Sequence, residues 1–205
     1  MRHDGIVDEA AQNPDEAKRA MRASMRARRL TRPADGQAAR ALASHLRDIP
    51  AGTVACFMSM QSEPDTRALI AALLNAGTRV LVPRVDGRDL EWVALSESVR
   101  FSPGPFGIRE PVGSAVGRGG GPLTDCAAVL LPALAVDGRG FRLGQGGGFY
   151  DRALAEVPEH GAGGPMRIAV VFDDEVVEAV PTDVHDCRVD LALTEVGIRR
   201  FSPGA

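Results

Sequence analysis

CAAVLLPALAVDGRGFRLGQGGGFYDR, residues 126–152, decides how this chain is read. Residues 127–131 form an apolar run too short for a helix core and rich in Val and Leu, the pattern of a buried strand. Pro132 ends it, and Asp137-Gly138 makes a turn. Then comes Arg142-Leu143-Gly144-Gln145-Gly146-Gly147-Gly148-Phe149-Tyr150-Asp151-Arg152. Four glycines here leave the backbone bare, so its N–H groups can close round an anion. From Phe149 the spacing is helical, with Leu154 one turn beyond Tyr150, and a helix start favours phosphate. Arg142 and Arg152 add positive charge beside the loop. The alternative is a Gly-rich surface loop in a chain that carries 23 Gly. Two nucleotide signatures are missing. No Gly-Lys-Ser/Thr follows, and Phe149 stands where a dinucleotide fingerprint needs its third glycine.

Outward from this stretch, residues 53–60 read as a buried strand that empties into a loop carrying Glu63. A helix to Asn75 and a strand over 79–82, ended by Pro83, complete a βαβ unit. Such sheets take ligands in the loops after their strands. Near the start, Asn13 caps a helix, with Pro14 in its first turn and Glu16 completing a capping box. That helix runs to about Leu30. Met21, Met25 and Leu30 are its expected inner stripe, and Lys18, Arg22, Arg26 and Arg29 share another face. Four cations on one face repel unless anions meet them; a solvated face is the other reading. A second helix to about Asp48 turns Leu42, Leu46 and Ile49 inward. Further strands are expected over 89–95, with Trp92, over 167–172 and over 191–194. Residues 102–111 and 113–122 read as Pro/Gly-rich loop and flexible connector, and 182–186 as an acidic turn. The expected fold is α/β, a three-layer α/β/α arrangement round a mostly parallel sheet.

Composition sets the outer limits. With 205 residues, a net charge of −3 and ordinary apolar and charged contents, the chain reads as a globular domain able to bury a core. Residues 1–13 form an expected disordered extension, and 14–205 one domain. No Lys/Arg block points to nucleic acid, and no apolar stretch reaches membrane-spanning length. Cys56, Cys126 and Cys187 lack metal or redox spacing and read as structural thiols of a cytoplasmic protein. Among 24 Lys and Arg, Lys18 is the only lysine, and Tyr150 is the only tyrosine. Phosphate loop, cationic helix face and carboxylates together suggest a nucleotide with a hard cation. Mg²⁺ takes one or two carboxylates plus phosphate oxygens, and Asp151 and Asp186 can supply them. His185-Asp186 is a weaker candidate for a metal or acid–base pair.

These residues carry a resemblance. The 131–152 segment resembles the signature of the 5-formyltetrahydrofolate cyclo-ligase family. Matches in order include Lys18-x-x-x-Arg22, residues 57–63, residues 106–111, and Pro181 to Asp186. The resemblance implies a sheet related to sugar-phosphate isomerases and CoA-transferases (a NagB/RpiA/CoA-transferase-like fold). The implied reaction is the ATP- and Mg²⁺-dependent closure of 5-formyltetrahydrofolate to 5,10-methenyltetrahydrofolate, through a phosphorylated formyl group, with ADP and phosphate released. Carried over, Lys18, Arg22 and Arg142, Leu143, Gly144, Gln145, Gly146, Gly147, Gly148, Phe149 and Tyr150 would bind ATP. Lys18, Arg142 and Tyr150 would serve catalysis. Asp151 and Asp186 would hold Mg²⁺. Met58, Glu63, Phe106 and Tyr150 would line the folate site, with Glu63 accepting from pterin donors. The implied partner is the small-molecule substrate, with neither nucleic acid nor membrane, for a monomer or weak homodimer. Two residues depart from the family pattern: Gln145 replaces an aromatic or basic residue, and Phe149 a frequent Tyr. A non-catalytic nucleotide- or folate-binding regulator on the same scaffold is the competing reading.

Overall fold

The structure is a computed structural model that describes residues 13–33, 36–60, 62–96 and 99–201. The expected N-terminal extension (Asn13 apart), Gln61 and the Phe106 side chain lie outside the described residues.

Helix α1 (Pro14–Leu30) starts on its expected cap: Asn13 accepts the Asp15 amide on its side-chain oxygen. Its inner stripe differs from expectation. Met25 is buried and Met21 packs beside it, but Leu30 is 81% exposed and Arg29 is buried instead. At 3.6 residues per turn Arg29 lies nearly one full turn from Met25, whereas Leu30 lies about 140° round the helix. The second helix is split into α2 (Gln37–Ser44) and a 3₁₀ turn, Leu46–Asp48. Leu42 and Ile49 are buried as expected, and Leu46 is half-buried.

The chain then alternates. It passes through β1 (Val54–Cys56), α3 (Arg67–Asn75), β2 (Val80–Asp86), β3 (Asp89–Ala94), β4 (Arg100–Pro103), β5 (Arg109–Val112) and β6 (Gly117–Arg118). There follow α4 (Gly121–Thr124), β7 (Ala128–Pro132), β8 (Ala135–Asp137), β9 (Arg142–Leu143) and α5 (Phe149–Leu154). Last come β10 (Met166–Val170), β11 (Val176–Val177), β12 (Leu191–Leu193) and β13 (Ile198–Arg200). Eight strands form one sheet in the order β13-β12-β10-β7-β1-β2-β3-β6. The five from β12 to β2 are parallel, and the strands outside them are antiparallel.

Side-chain alternation divides the core between the two faces of this sheet. Val54, Cys56, Ala128, Leu130, Ile168 and Val170 point to the layer holding α2 and α3. Ala55, Val129, Leu131 and Ala169 point to the layer holding Leu123 of α4, Ala153 and Leu154 of α5, and Trp92. Covered on both faces, β7 is a continuous apolar run rather than an alternating one. Burying each of its leucines contributes about 1.5–3 kcal/mol. A third cluster, centred on Met25, Leu134 and Leu143, seats α1 on the small sheet β11-β8-β9.

Three local expectations give way to tertiary pairing. Pro83 does not end its strand. Beyond Leu81 the strand has left β1 and pairs only with β3, where Pro83 faces Trp92, so a missing N–H is tolerated. Residues 102–111 form most of an antiparallel hairpin, β4–β5, and not a loop. The connector over 113–122 contains β6, which extends the sheet edge against β3.

Candidate active site

From β1 the chain moves to β2 on one side and later to β7 on the other. Between β1 and β7 the order of winding therefore reverses, and a crevice opens beyond the carboxyl ends of these two strands. A cleft of about 620 Å³ occupies this place. Its floor includes Phe57 and Met58, just past β1, and Pro132 at the end of β7. All the residues expected at the site whose side chains are described line it. Chain ends far apart in sequence thus meet: α1 brings Lys18 and Arg22, the loop after β1 brings Glu63, and the acidic turn brings Asp186.

The glycine loop joins β9 to α5. Gly146 and Gly148 take positive φ, 105° and 63°, which a side chain would resist. A Cβ on Gly148 would also stand 2.7 Å from Arg152 Nη1. With six residues, α5 has little dipole of its own, so an anion at this loop would be met more by loop amides and arginines than by a helix start. Helix α1 clamps this loop. Arg22 Nε donates to the Gly144 carbonyl at 3.0 Å. Arg26 Nε donates to Gln145 Oε1 at 3.0 Å, and its Nη2 to the Gln145 carbonyl at 2.8 Å.

The four cations of α1 are therefore neither a solvated face nor one common anion site. Lys18 Nζ donates to Asp186 Oδ2 at 2.5 Å, with side-chain exposures of 10% and 20%. Arg22 and Arg26 hold the loop. Arg29 turns away from the cleft and pairs with Glu175 in the interior. Arg142 is buried; its Nη2 donates to Asp151 Oδ1 at 2.7 Å and its Nη1 to the Cys187 carbonyl. It is thus a cation anchored at the cleft beside the loop. Arg152 reaches back to the carbonyls of Arg88 and Gly147, with its guanidinium over the Phe149 ring.

Opposite the loop, Glu63 is only 7% exposed. Burial pushes its carboxyl above the usual 4.5, against the opposing pull of the Met60 amide, Arg29 and Gln145. Its Oε2 accepts the Met60 amide at 2.9 Å. Tyr150 lies edge-on to Trp92, ring centroids 6.3 Å apart. Burial, with Cys56 and Glu63 nearby, pushes its phenol well above 10, so the hydroxyl stays protonated and is able to donate.

Asp151 and Asp186 each keep one carboxylate oxygen, Oδ2 and Oδ1, without a hydrogen bond from the described residues. Two half-free carboxylates beside the glycine loop are the kind of donor set that Mg²⁺ accepts together with phosphate oxygens. Sequence reasoning missed two residues. Arg26 is the main clamp on the loop, and its place on the cationic face was the available signal. Glu110 lines the cleft and fastens the β4–β5 hairpin, its Oε1 accepting the Val85 amide at 2.7 Å. Its place in the 106–111 match was the available signal.

A profile of the 5-formyltetrahydrofolate cyclo-ligase family matches residues 14–195. The chain is 37% identical over 174 residues to a 5-formyltetrahydrofolate cyclo-ligase of Mycolicibacterium smegmatis, covering 80% of this chain and 83% of that one. It is 28% identical to the mouse protein of that name, covering 91% and 97%. An Aquifex aeolicus 5,10-methenyltetrahydrofolate synthetase structure superimposes with a TM-score of 0.75 at 27% identity, over 92% of this chain and 94% of that one.

Proposed function

The chain belongs to the 5-formyltetrahydrofolate cyclo-ligase family, and from that premise we propose that it closes 5-formyltetrahydrofolate to 5,10-methenyltetrahydrofolate at the expense of ATP. The activity is assigned to one domain over residues 14–205. Its described cysteines are free thiols, which suits the reducing cytoplasm proposed as its setting.

The chemistry needs activation first, because a formamide oxygen is a poor leaving group. That oxygen attacks the γ-phosphorus of ATP and ADP leaves. N10 of the folate then attacks the formyl carbon of the iminium phosphate and loses its proton. Phosphate departs with the former formyl oxygen, leaving the methenyl bridge. Phosphoryl transfer asks a protein mainly for positioning and charge neutralisation. In this reading the loop from Gly144 to Gly148, with Arg22 at its edge, holds the phosphates. Lys18 exchanges its contact with Asp186 for the transferring phosphoryl group. Asp186 and Asp151 would hold Mg²⁺, which would supply positive charge to offset that of the phosphates. Arg142 fixes Asp151 in position. Glu63 accepts from pterin donors beside Met58. Tyr150 lies between the two ligands and donates from its hydroxyl.

The observation carrying this reading is that Lys18 and the glycine loop, over a hundred residues apart, line one cleft with Glu63. Gln145 and Phe149 depart from the family pattern, yet each has a partner, Arg26 and Arg152, so they give no support to a non-catalytic reading. The test is one assay with ATP, Mg²⁺ and 5-formyltetrahydrofolate. Methenyl absorbance is expected to rise in step with ADP. Binding of both ligands with no absorbance change at saturating Mg²⁺ would overturn the catalytic reading and leave the regulator.

A further inference from the structure

We propose that Gln145 is a positioning residue that couples the phosphate loop to the substrate carboxylate Glu63, so that nucleotide and folate tighten each other's binding. The inference rests on the reading of the cleft given above and adds a communication between its two halves.

Gln145 bridges two groups of opposite hydrogen-bonding character. On one side Arg26 donates to its Oε1 at 3.0 Å. On the other, its Nε2 donates to Glu63 Oε1 at 3.4 Å. A guanidinium can only donate and an ionised carboxylate can only accept. Between them a primary amide satisfies both, and only in one orientation. Glutamate would keep Arg26 and lose Glu63; methionine would lose both. The second Arg26 contact, to the Gln145 main-chain carbonyl at 2.8 Å, ties the bridge to the loop backbone. Wherever the loop goes, the amide that meets Glu63 goes with it.

Glu63 is in turn poorly supplied with other hydrogen-bond donors. Among the described residues its remaining hydrogen-bond donor is the Met60 amide at 2.9 Å. The charged and titratable groups facing it are Arg29 of α1, Glu175 of the 3₁₀ turn before β11, and Tyr150 of α5. Gln145 is the single one of these partners that belongs to the anion loop. Arg22 and Arg26 hold the loop at Gly144 and Gln145, while glycines at 146, 147 and 148 put no side chain in the way of backbone movement beyond that hold. Phosphate on the loop amides removes that freedom, and with it the freedom of Gln145 and of the Glu63 carboxylate. A pterin that then binds Glu63 meets a group already ordered. Coupling of this kind is reciprocal: each ligand strengthens the other by the same factor.

The experiment measures folate affinity with and without a non-hydrolysable ATP analogue plus Mg²⁺, and analogue affinity with and without 5-formyltetrahydrofolate. In the wild-type protein each ligand is expected to tighten the other by about fivefold, the lower end of common allosteric couplings. In Gln145→Met the factor is expected to fall to about one. Gln145→Glu retains the Arg26 contact but loses the donor to Glu63, so its factor also falls to about one. It also places a second carboxylate beside Glu63, which moves the acid limb of kcat/KM for folate to higher pH. A purely structural role for Gln145 would weaken both ligands and leave the factor intact. That result, or a factor near one in a wild-type protein that turns over substrate, overturns the inference while the function stands. A wild-type protein that binds neither ligand sinks both. Melting temperature, measured alongside, confirms that each variant is folded.

Discussion

Two of the ion pairs that join α1 to the C-terminal part of the chain are built for different ends. Arg29 and Glu175 meet with side-chain exposures of 0% and 1%. Their contact is bidentate, Nε to Oε1 and Nη2 to Oε2, each at 2.8 Å. Arg29 Nη2 also reaches the Ala133 carbonyl, and Glu175 Oε2 accepts the Phe172 amide at 3.0 Å. Nearly every polar atom is committed; Arg29 Nη1, buried without a partner, is the cost of sealing the pair. Three turns earlier on the same helix, Lys18 and Asp186 share a single contact at the wall of an open cleft. Asp186 keeps an oxygen in reserve there. The first pair holds α1 in place. The second is held in place by it, with partners that can be exchanged for phosphate and cation. Burial separates the roles: a sealed pair cannot trade partners without leaving a bare charge in the interior.

The largest effect should come from breaking the sealed pair on one side. Arg29→Met leaves Glu175 buried and unpaired, at a cost of about 3–5 kcal/mol. At roughly 2–4 °C per kcal/mol for a chain of this size, the melting temperature drops by about 10 °C. Adding Glu175→Leu should recover much of that loss, because the orphaned charge goes with it. Failure to recover would mean that the pair holds α1 by geometry rather than by charge balance.

Next in size is the open pair. Lys18→Ala is expected to lower turnover about 10²- to 10³-fold, the loss typical of one preorganised charge contact in a transition state. Its melting temperature should stay close to that of the wild-type protein. A Lys18→Ala protein as unstable as Arg29→Met would erase the distinction drawn here, and one with full turnover would remove Lys18 from the chemistry.

The smallest effect is a pH dependence. Burial raises the carboxyl of Glu63 in the folded protein above its usual 4.5. A group shifted this way contributes stability below its unfolded value, and the contribution is lost as pH rises through the folded value. Glu63→Gln should therefore gain melting temperature relative to wild type as the pH is taken from 4 to 7, while its folate affinity falls. A gap that narrows with rising pH would show that Glu63 is better stabilised as an anion than its burial implies.

How much of this was legible beforehand varies with the range of the interaction. The apolar run of β7, the cap at Asn13 and the cation spacing on α1 are local patterns, and each appears in the structure. The β4–β5 hairpin was hidden because its Pro- and Gly-rich residues carry loop chemistry; partner strands, not propensity, make it a ladder. At the site, the glycine loop, Glu63, Lys18 and the two aspartates could be named as candidates. Arg29 seemed to belong with them, since helical spacing places residues on a face but says nothing of what that face meets.

By itself, then, the order of residues determined strands, turns, helix starts and the list of groups able to bind phosphate or carry charge, because those follow from rules reaching only a few residues. Tertiary structure alone decided which charge met which. Lys18 finds Asp186 at a separation of 168 residues, and Arg29 finds Glu175 at 146, because strand order brings these segments side by side. Burial then sealed one pair and left the other open to the cleft, and no pattern along the chain records how deeply a side chain will lie.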